Sequence, residues 1–70
     1  MRDRVYFEDV TCVAVGERAI RVDIDDKLVW IPLTQIDDES EVKTEGDEGR
    51  LVITKFIADQ RELEGLEYDG

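Results

Sequence analysis

The strictest constraint on the fold is an alternation of apolar and charged residues in the second quarter of the chain. It runs without a break through six positions, namely Ile20, Arg21, Val22, Asp23, Ile24 and Asp25. A period of two predicts a strand with one buried face and one face in water. Asp25-Asp26, or Asp26-Lys27, then favours a short hairpin turn, because Asp tolerates the backbone angles that such turns need.

The next predicted strand begins at Lys27 and is apolar on both faces, with Trp30 on one face and Ile31 on the other. A strand of this kind is expected to be covered on both sides, by the terminal helix or by a partner. Pro32 has a locked φ and no N–H group, so the strand ends there in a turn. We expect this turn to bring Ile36 back into the core.

The other elements follow from composition and from turn and cap signals. Their predicted positions are a strand over residues 4–15 with a kink at Glu8-Asp9, a last strand over residues 50–53, an N-cap at Thr54, a helix over residues 55–64 ended by Gly65, and a tail over residues 65–70.

These elements predict a mostly β fold with one short C-terminal α-helix, a small SH3-like or OB-like antiparallel β-barrel of four to five strands. Residues 1–70 form a single domain with its core in residues 4–64. A domain this small needs its large apolar groups inside, so we expect Phe7, Trp30 and Phe56 to be buried. The two-sided apolar strand also favours a homodimer.

Charge and cysteine content exclude several classes of function. The chain has 19 acidic and 9 basic residues, a net charge of −10, and this field repels nucleic acid and attracts basic protein surfaces. It has no His and one cysteine, Cys12, which provides neither a disulfide, nor a zinc site, nor an activated nucleophile. We therefore predict a cytoplasmic protein that is not an enzyme, binds no cofactor or metal and has no membrane segment.

The main chemical feature is an acidic run between residues 37 and 48, in which seven of twelve residues are acids. As a calcium loop it fails, because Val42 stands where an EF-hand requires Gly. A solvated loop is one interpretation. The other is phosphate mimicry, with Asp37, Glu39 and Glu41 on one face of an extended segment at about twice the phosphate spacing of 3.4 Å. The predicted partner-binding residues are Asp37, Asp38, Glu39, Glu41, Asp47 and Glu48.

Two further interpretations stay open. Basic residues of the first strands, among them Arg4, Arg18 and Arg21, together with an exposed aromatic, would bind single-stranded nucleic acid or a replication protein. An oligomeric barrel whose basic residues converge on one pocket would instead capture a small charged nucleotide.

The segment Val-Trp-Ile-Pro-Leu-Thr-Gln-Ile at residues 29–36 precedes an acidic stretch, a Gly46…Gly49 loop, an apolar strand and a helix. This order resembles a group of small uncharacterised phage and prophage proteins with a W-[IL]-P-x-S-Q-I segment followed by G-x-x-G-x-L-x-[IV]. Thr34 stands where that group more often has Ser, and Phe56 where it often has Trp. The resemblance implies a mobile-element origin in a bacterial cytoplasm and assigns no site residue.

The sequence thus predicts a phage-type binding module. We expect an acidic inhibitor of a basic, nucleic-acid-binding host defence protein, of the anti-CRISPR or anti-restriction type. The alternatives are an accessory barrel in phage replication or recombination and the nucleotide sponge.

Overall fold

The computed structural model describes residues 3–67. Its elements in chain order are β1 (Arg4–Val15), β2 (Ala19–Ile24), β3 (Lys27–Pro32), a 3₁₀ turn (Leu33–Gln35), β4 (Glu48–Thr54), α1 (Lys55–Gln60) and β5 (Leu66–Glu67). The strands form one antiparallel sheet in the order β3-β2-β1-β4, and β5 pairs with the N-terminal half of β1. The predicted fold class, a mostly β, small barrel-like domain with one short helix near its C-terminal end, is confirmed.

The long strand β1 contains a bulge near its middle. Its pairing with β4 shifts register between Phe7 and Val10, where Asp9 takes a positive φ of 56°. Such a bulge bends a strand and increases its twist. The pairing with β4 continues past the bulge to Val10 and Thr11, and β2 pairs with the other edge of β1 from Thr11 to Val15. The kink predicted at Glu8-Asp9 is confirmed.

The hairpin between β2 and β3 closes through Asp25 and Asp26, which both take positive φ angles of 52° and 67°. Two successive positive φ angles define a type I′ turn, whose twist matches that of the flanking strands. The first of the two predicted turn positions is the observed one.

The segment after the 3₁₀ turn lies along the outer edge of β4 and makes the sheet barrel-like. Ile36 forms a bridge with Ile53 and packs against the core, as predicted. Beyond it, the Asp37 N–H donates to the carbonyl of Val52, and the Glu41 N–H donates to the carbonyl of Arg50, both at 2.8 Å. These bonds pair the outer edge of β4.

The buried core is aliphatic. The largest fully buried side chains are those of Ile20, Ile31, Leu51, Ile53, Val10, Val22, Val42, Val52 and Cys12. Phe7 is buried, as predicted, but the predicted burial of Trp30 and Phe56 is wrong: their exposed fractions are 44% and 62%. Trp30 shares the outward face of β3 with Leu28, which is also exposed, and on α1 the buried positions are Ile57 and Ala58.

The helix is shorter than predicted, because it ends at Gln60 instead of residue 64. Glu62 takes a positive φ of 58°. Its N–H donates to the backbone carbonyl of Asp59, and the Leu63 N–H donates to the backbone carbonyl of Ala58. This is a Schellman motif, which usually has Gly at the position that Glu62 occupies. Leu63 is buried and closes the motif.

Gly65 has a different role from the predicted helix stop. A Cβ atom at this position would lie only 2.7 Å from Cζ of Phe7, so the chain needs Gly to pass the ring. The chain then pairs with Val5 and Tyr6 as β5, so the sheet continues into part of the predicted tail. The rest of that tail, residues 68–70, lies outside the described residues.

Candidate functional site

The predicted partner-binding residues lie in or beside one ordered segment, residues 37–48, which we call the acidic loop. Ser40 anchors it to β4: its hydroxyl donates to the Val52 carbonyl and accepts from the Val52 N–H, both at 2.8 Å. Val42 is fully buried in the core. The sequence marks Val42 as a lone apolar residue within the acidic run, at most a very short strand, and nothing in it predicts Ser40 as an anchor.

Asp37 holds the first turn of the acidic loop. Its carboxylate accepts the Glu39 N–H at 2.9 Å and pairs with the guanidinium of Arg4. The Glu39 N–H is the main cause that lowers the pKa of Asp37, and the Arg4 guanidinium is the second. Because both partners stabilise the charged form, Asp37 acts chiefly as a structural carboxylate.

Asp47 holds the far turn in the same way. Its carboxylate accepts the N–H groups of Thr44 at 2.9 Å and Lys43 at 3.0 Å, and these bonds lower its pKa, with Thr44 the larger cause. The turn is also tied to β1, since the Cys12 N–H donates to the Asp47 carbonyl at 2.8 Å and the Gly46 N–H donates to the Cys12 carbonyl at 2.9 Å.

Of the other predicted site residues, Glu41 also has an internal role, because it accepts the Arg50 N–H at 2.9 Å. Glu48 is exposed and makes only a long 3.4 Å contact with the Thr11 hydroxyl. Asp38 and Glu39 are exposed on the first turn. Glu45 is exposed on the far turn and belongs to the same acidic run, but it is not among the predicted partner-binding residues.

The geometry behind the phosphate-spacing argument is wrong. Residues 38–39 form a turn instead of an extended strand, so Asp37, Glu39 and Glu41 do not repeat along one strand face. Among residues 3–67, no group of three or more His, Cys, Asp or Glu side chains is arranged to hold a metal ion. The acidic loop presents a surface of outward carboxylates around internally bonded ones.

Charge is concentrated in this loop. Residues 37–48 carry seven acids and one base, a net charge of −6, whereas residues 17–33 carry four acids and three bases, a net charge of −1. The acidic loop thus holds most of the −10 of the whole chain. A potential concentrated on one ordered surface steers basic partners toward that surface.

A second surface lies on the outward face of the sheet, around Trp30. Arg21 lies directly opposite Trp30 on β2, and Ala14 lies opposite Arg21 on β1. A Cβ atom at Gly16 would lie 3.5 Å from Cζ3 of Trp30, so the ring extends over this glycine. Arg4, also expected in a basic patch, pairs instead with Asp37 near the opposite end of β1.

Basic residues do not converge in any of four clefts on the described part of the chain. Four shallow clefts of about 200 to 320 Å³ each contain at most one Lys and no Arg. The largest is lined by Lys55 together with Asp59 and Glu64.

Burial raises the pKa of the Cys12 thiol, which donates to the carbonyl of Ala14 at 3.4 Å.

Comparison with protein-family models, with curated proteins and with solved structures finds no match to this chain. The resemblance to small phage proteins therefore stays an expectation drawn from the sequence motif. Within residues 3–67, no helix has the length and apolar character needed to cross a membrane.

Proposed function

We propose that this protein is a non-enzymatic binding module whose acidic loop docks on a basic surface of another protein. The observation that carries the proposal is the anchoring of an acidic segment of net charge −6 to the core through Ser40 and Val42. A loop held in this way loses little conformational entropy on binding, so its carboxylates bind with less penalty than those of a mobile segment.

The partner class follows from the charge. A surface rich in Lys and Arg is typical of proteins that bind nucleic-acid phosphates, so a basic, nucleic-acid-binding host protein is the proposed partner. Inhibition then consists of occupying that surface, as expected for an anti-CRISPR or anti-restriction protein in a bacterial cytoplasm. The turn at residues 38–39 favours docking by shape and charge over a copy of the phosphate repeat.

The test is capture from a nuclease-treated bacterial lysate by the immobilised protein, followed by elution with rising salt. We expect to capture a defined basic protein. Its capture should survive nuclease treatment, and it should elute as salt screens the acidic surface. Recovery of nucleic acid alone, or of an acidic partner whose retention is independent of salt, would refute the proposal.

One observation favours a second candidate, binding of single-stranded nucleic acid. The exposed ring of Trp30 lies beside Arg21, and base stacking on an aromatic with a neighbouring guanidinium is the usual mode of such binding. A gel shift with an oligonucleotide that weakens steeply with salt and is lost in Trp30→Ala supports this candidate. A Trp30→Ala variant that shifts the oligonucleotide as well as wild type excludes it.

A further inference from the structure

Among residues 3–67, no strand pairs with the outer edge of β3, and the hydrogen-bond phase of the β2–β3 hairpin shows which backbone groups lie there. In a two-residue hairpin the residues flanking the turn bond to each other, and every second pair does so thereafter. The Leu33 N–H donates to the Arg18 carbonyl at 2.8 Å, which confirms this phase at the far end. The backbone groups of Leu28 and Trp30 therefore point away from β2.

Side chains at this edge are apolar as well. Leu28 and Trp30 share the outward face and are 50% and 44% exposed. At the other side of the sheet, the outer edge of β4 is occupied by the segment that begins at Ile36. An exposed edge strand with apolar side chains is a template for pairing with another strand.

We propose that a second copy of this chain pairs with this edge, β3 against β3 and antiparallel, with the twofold axis at Val29. Leu28 then lies opposite Trp30 of the partner subunit, and each of these two symmetric pairs exchanges two backbone hydrogen bonds. The four side chains form one apolar cluster on the outward face of a continuous sheet.

The charges are compatible with a second copy in this register. Lys27 lies opposite the partner's Ile31, so it meets no like charge across the interface. On the outward face, Asp23 and Arg21 flank the apolar cluster on β2, opposite Leu28 and Trp30 respectively. The hairpin region, residues 17–33, carries a net charge of only −1, so the strong negative charge of each copy lies mainly outside the interface.

The turn after α1 makes two side-chain contacts with β3. The Nζ of Lys27 donates to the Glu62 carbonyl at 3.4 Å, near the hairpin end of the strand. The Nε of Arg61 donates to the Trp30 carbonyl at 3.0 Å. A carbonyl oxygen has two lone pairs, so it accepts an N–H from the partner strand while keeping this bond, or Arg61 turns into solvent. Positive side chains at sheet edges limit uncontrolled pairing, so Arg61 is expected to weaken the dimer without preventing it.

The test is the molar mass of the full chain as a function of concentration and salt. We expect a rise from 8.1 kDa toward twice that value as the concentration approaches about 1 mM, with a blue shift of the emission of Trp30, the single tryptophan. Because each copy carries a charge of −10, raising salt to about 0.5 M should strengthen the dimer.

Leu28→Pro removes an N–H that points away from β2, and Leu28→Lys places two charges in the apolar cluster, so either change should keep the chain at 8.1 kDa. Using both variants guards against misfolding of the proline variant. Phe56→Lys is the matched control, since Phe56 is exposed on α1 outside this edge, and it should dimerise as wild type does.

A wild-type chain that stays at 8.1 kDa at about 1 mM in high salt, or a Leu28→Lys variant that dimerises normally, would overturn the proposal. Quenching of Trp30 by an oligonucleotide without any increase in protein mass would assign this face to nucleic acid instead. The inference is independent of the proposed function, because salt should strengthen the dimer and weaken binding of a basic partner.

Discussion

Replacing Ser40 with Ala should destabilise the whole domain, because the Ser40 hydroxyl hydrogen-bonds to the backbone of Val52 where a neighbouring strand would otherwise pair. It makes two hydrogen bonds of 2.8 Å, to the N–H and the carbonyl of a fully buried residue in β4. Leaving a buried polar group unpaired costs about 1 to 3 kcal/mol, and water that enters the site recovers part of this. Because the Val52 carbonyl keeps its bond from the Asp37 N–H, the Val52 N–H is the group that loses its partner, and we expect the free energy of unfolding to fall by about 1 to 3 kcal/mol.

This loss is large for a chain of 70 residues, whose total stability is expected to be about 4 to 10 kcal/mol. Urea unfolding followed by far-UV circular dichroism and by the emission of Trp30 measures it. Thr34→Ala removes an exposed hydroxyl from the neighbouring 3₁₀ turn and is the matched control, with an expected change below about 0.5 kcal/mol. A Ser40→Ala variant as stable as this control would refute the claim that Ser40 anchors the acidic loop.

Three other changes test the local structure. Asp9→Ala should be less stable than Asp9→Gly by about 1 kcal/mol in urea unfolding, because the φ of 56° suits Gly and strains Ala; equal stabilities would contradict the bulge. Thr54→Ala should lose about 1 kcal/mol in the same assay, since the hydroxyl accepts the Ile57 N–H and also bonds to Gln35, and an unchanged midpoint would rule out the cap. Asp37 and Asp47 have lowered pKa values in the folded state, so their contribution to stability is full above their unfolded pKa values and is lost as the pH falls through the folded ones. A pH series of thermal unfolding should show a smaller loss at acidic pH for Asp37→Asn than for wild type, and identical pH profiles would contradict this assignment.

Much of the fold could be predicted because local signals and packing agree. The alternation around Ile20, the Asp25-Asp26 turn, the kink at Asp9 and the Thr54 cap are each encoded within a few residues. The end of the helix was not predictable in this way, because a buried contact of Leu63 places Glu62 in a conformation that usually selects Gly. Gly65 owes its presence to Phe7, which is distant in sequence.

The candidate site was predicted in composition but not in geometry. The acidic run was evident, yet the internal bonds of Asp37 and Asp47 depend on turns that composition does not specify. Trp30 was expected in the core because large aromatics usually are buried. Its exposure follows from the phase of β3, in which Ile31 takes the inward position.

The central claim is that outward carboxylates of the acidic loop bind a basic partner, and the affinity of the captured protein for matched charge variants tests it most directly. One variant reverses Asp38, Glu45 and Glu48 to Lys, and the control reverses three exposed acids outside the loop, Glu17, Asp59 and Glu64, so both have the same net charge. The account predicts that the loop variant loses about 100-fold or more in affinity, about 2.7 kcal/mol, while the control stays within about tenfold of wild type. Equal losses in the two variants would show that net charge alone drives binding, which would contradict the account.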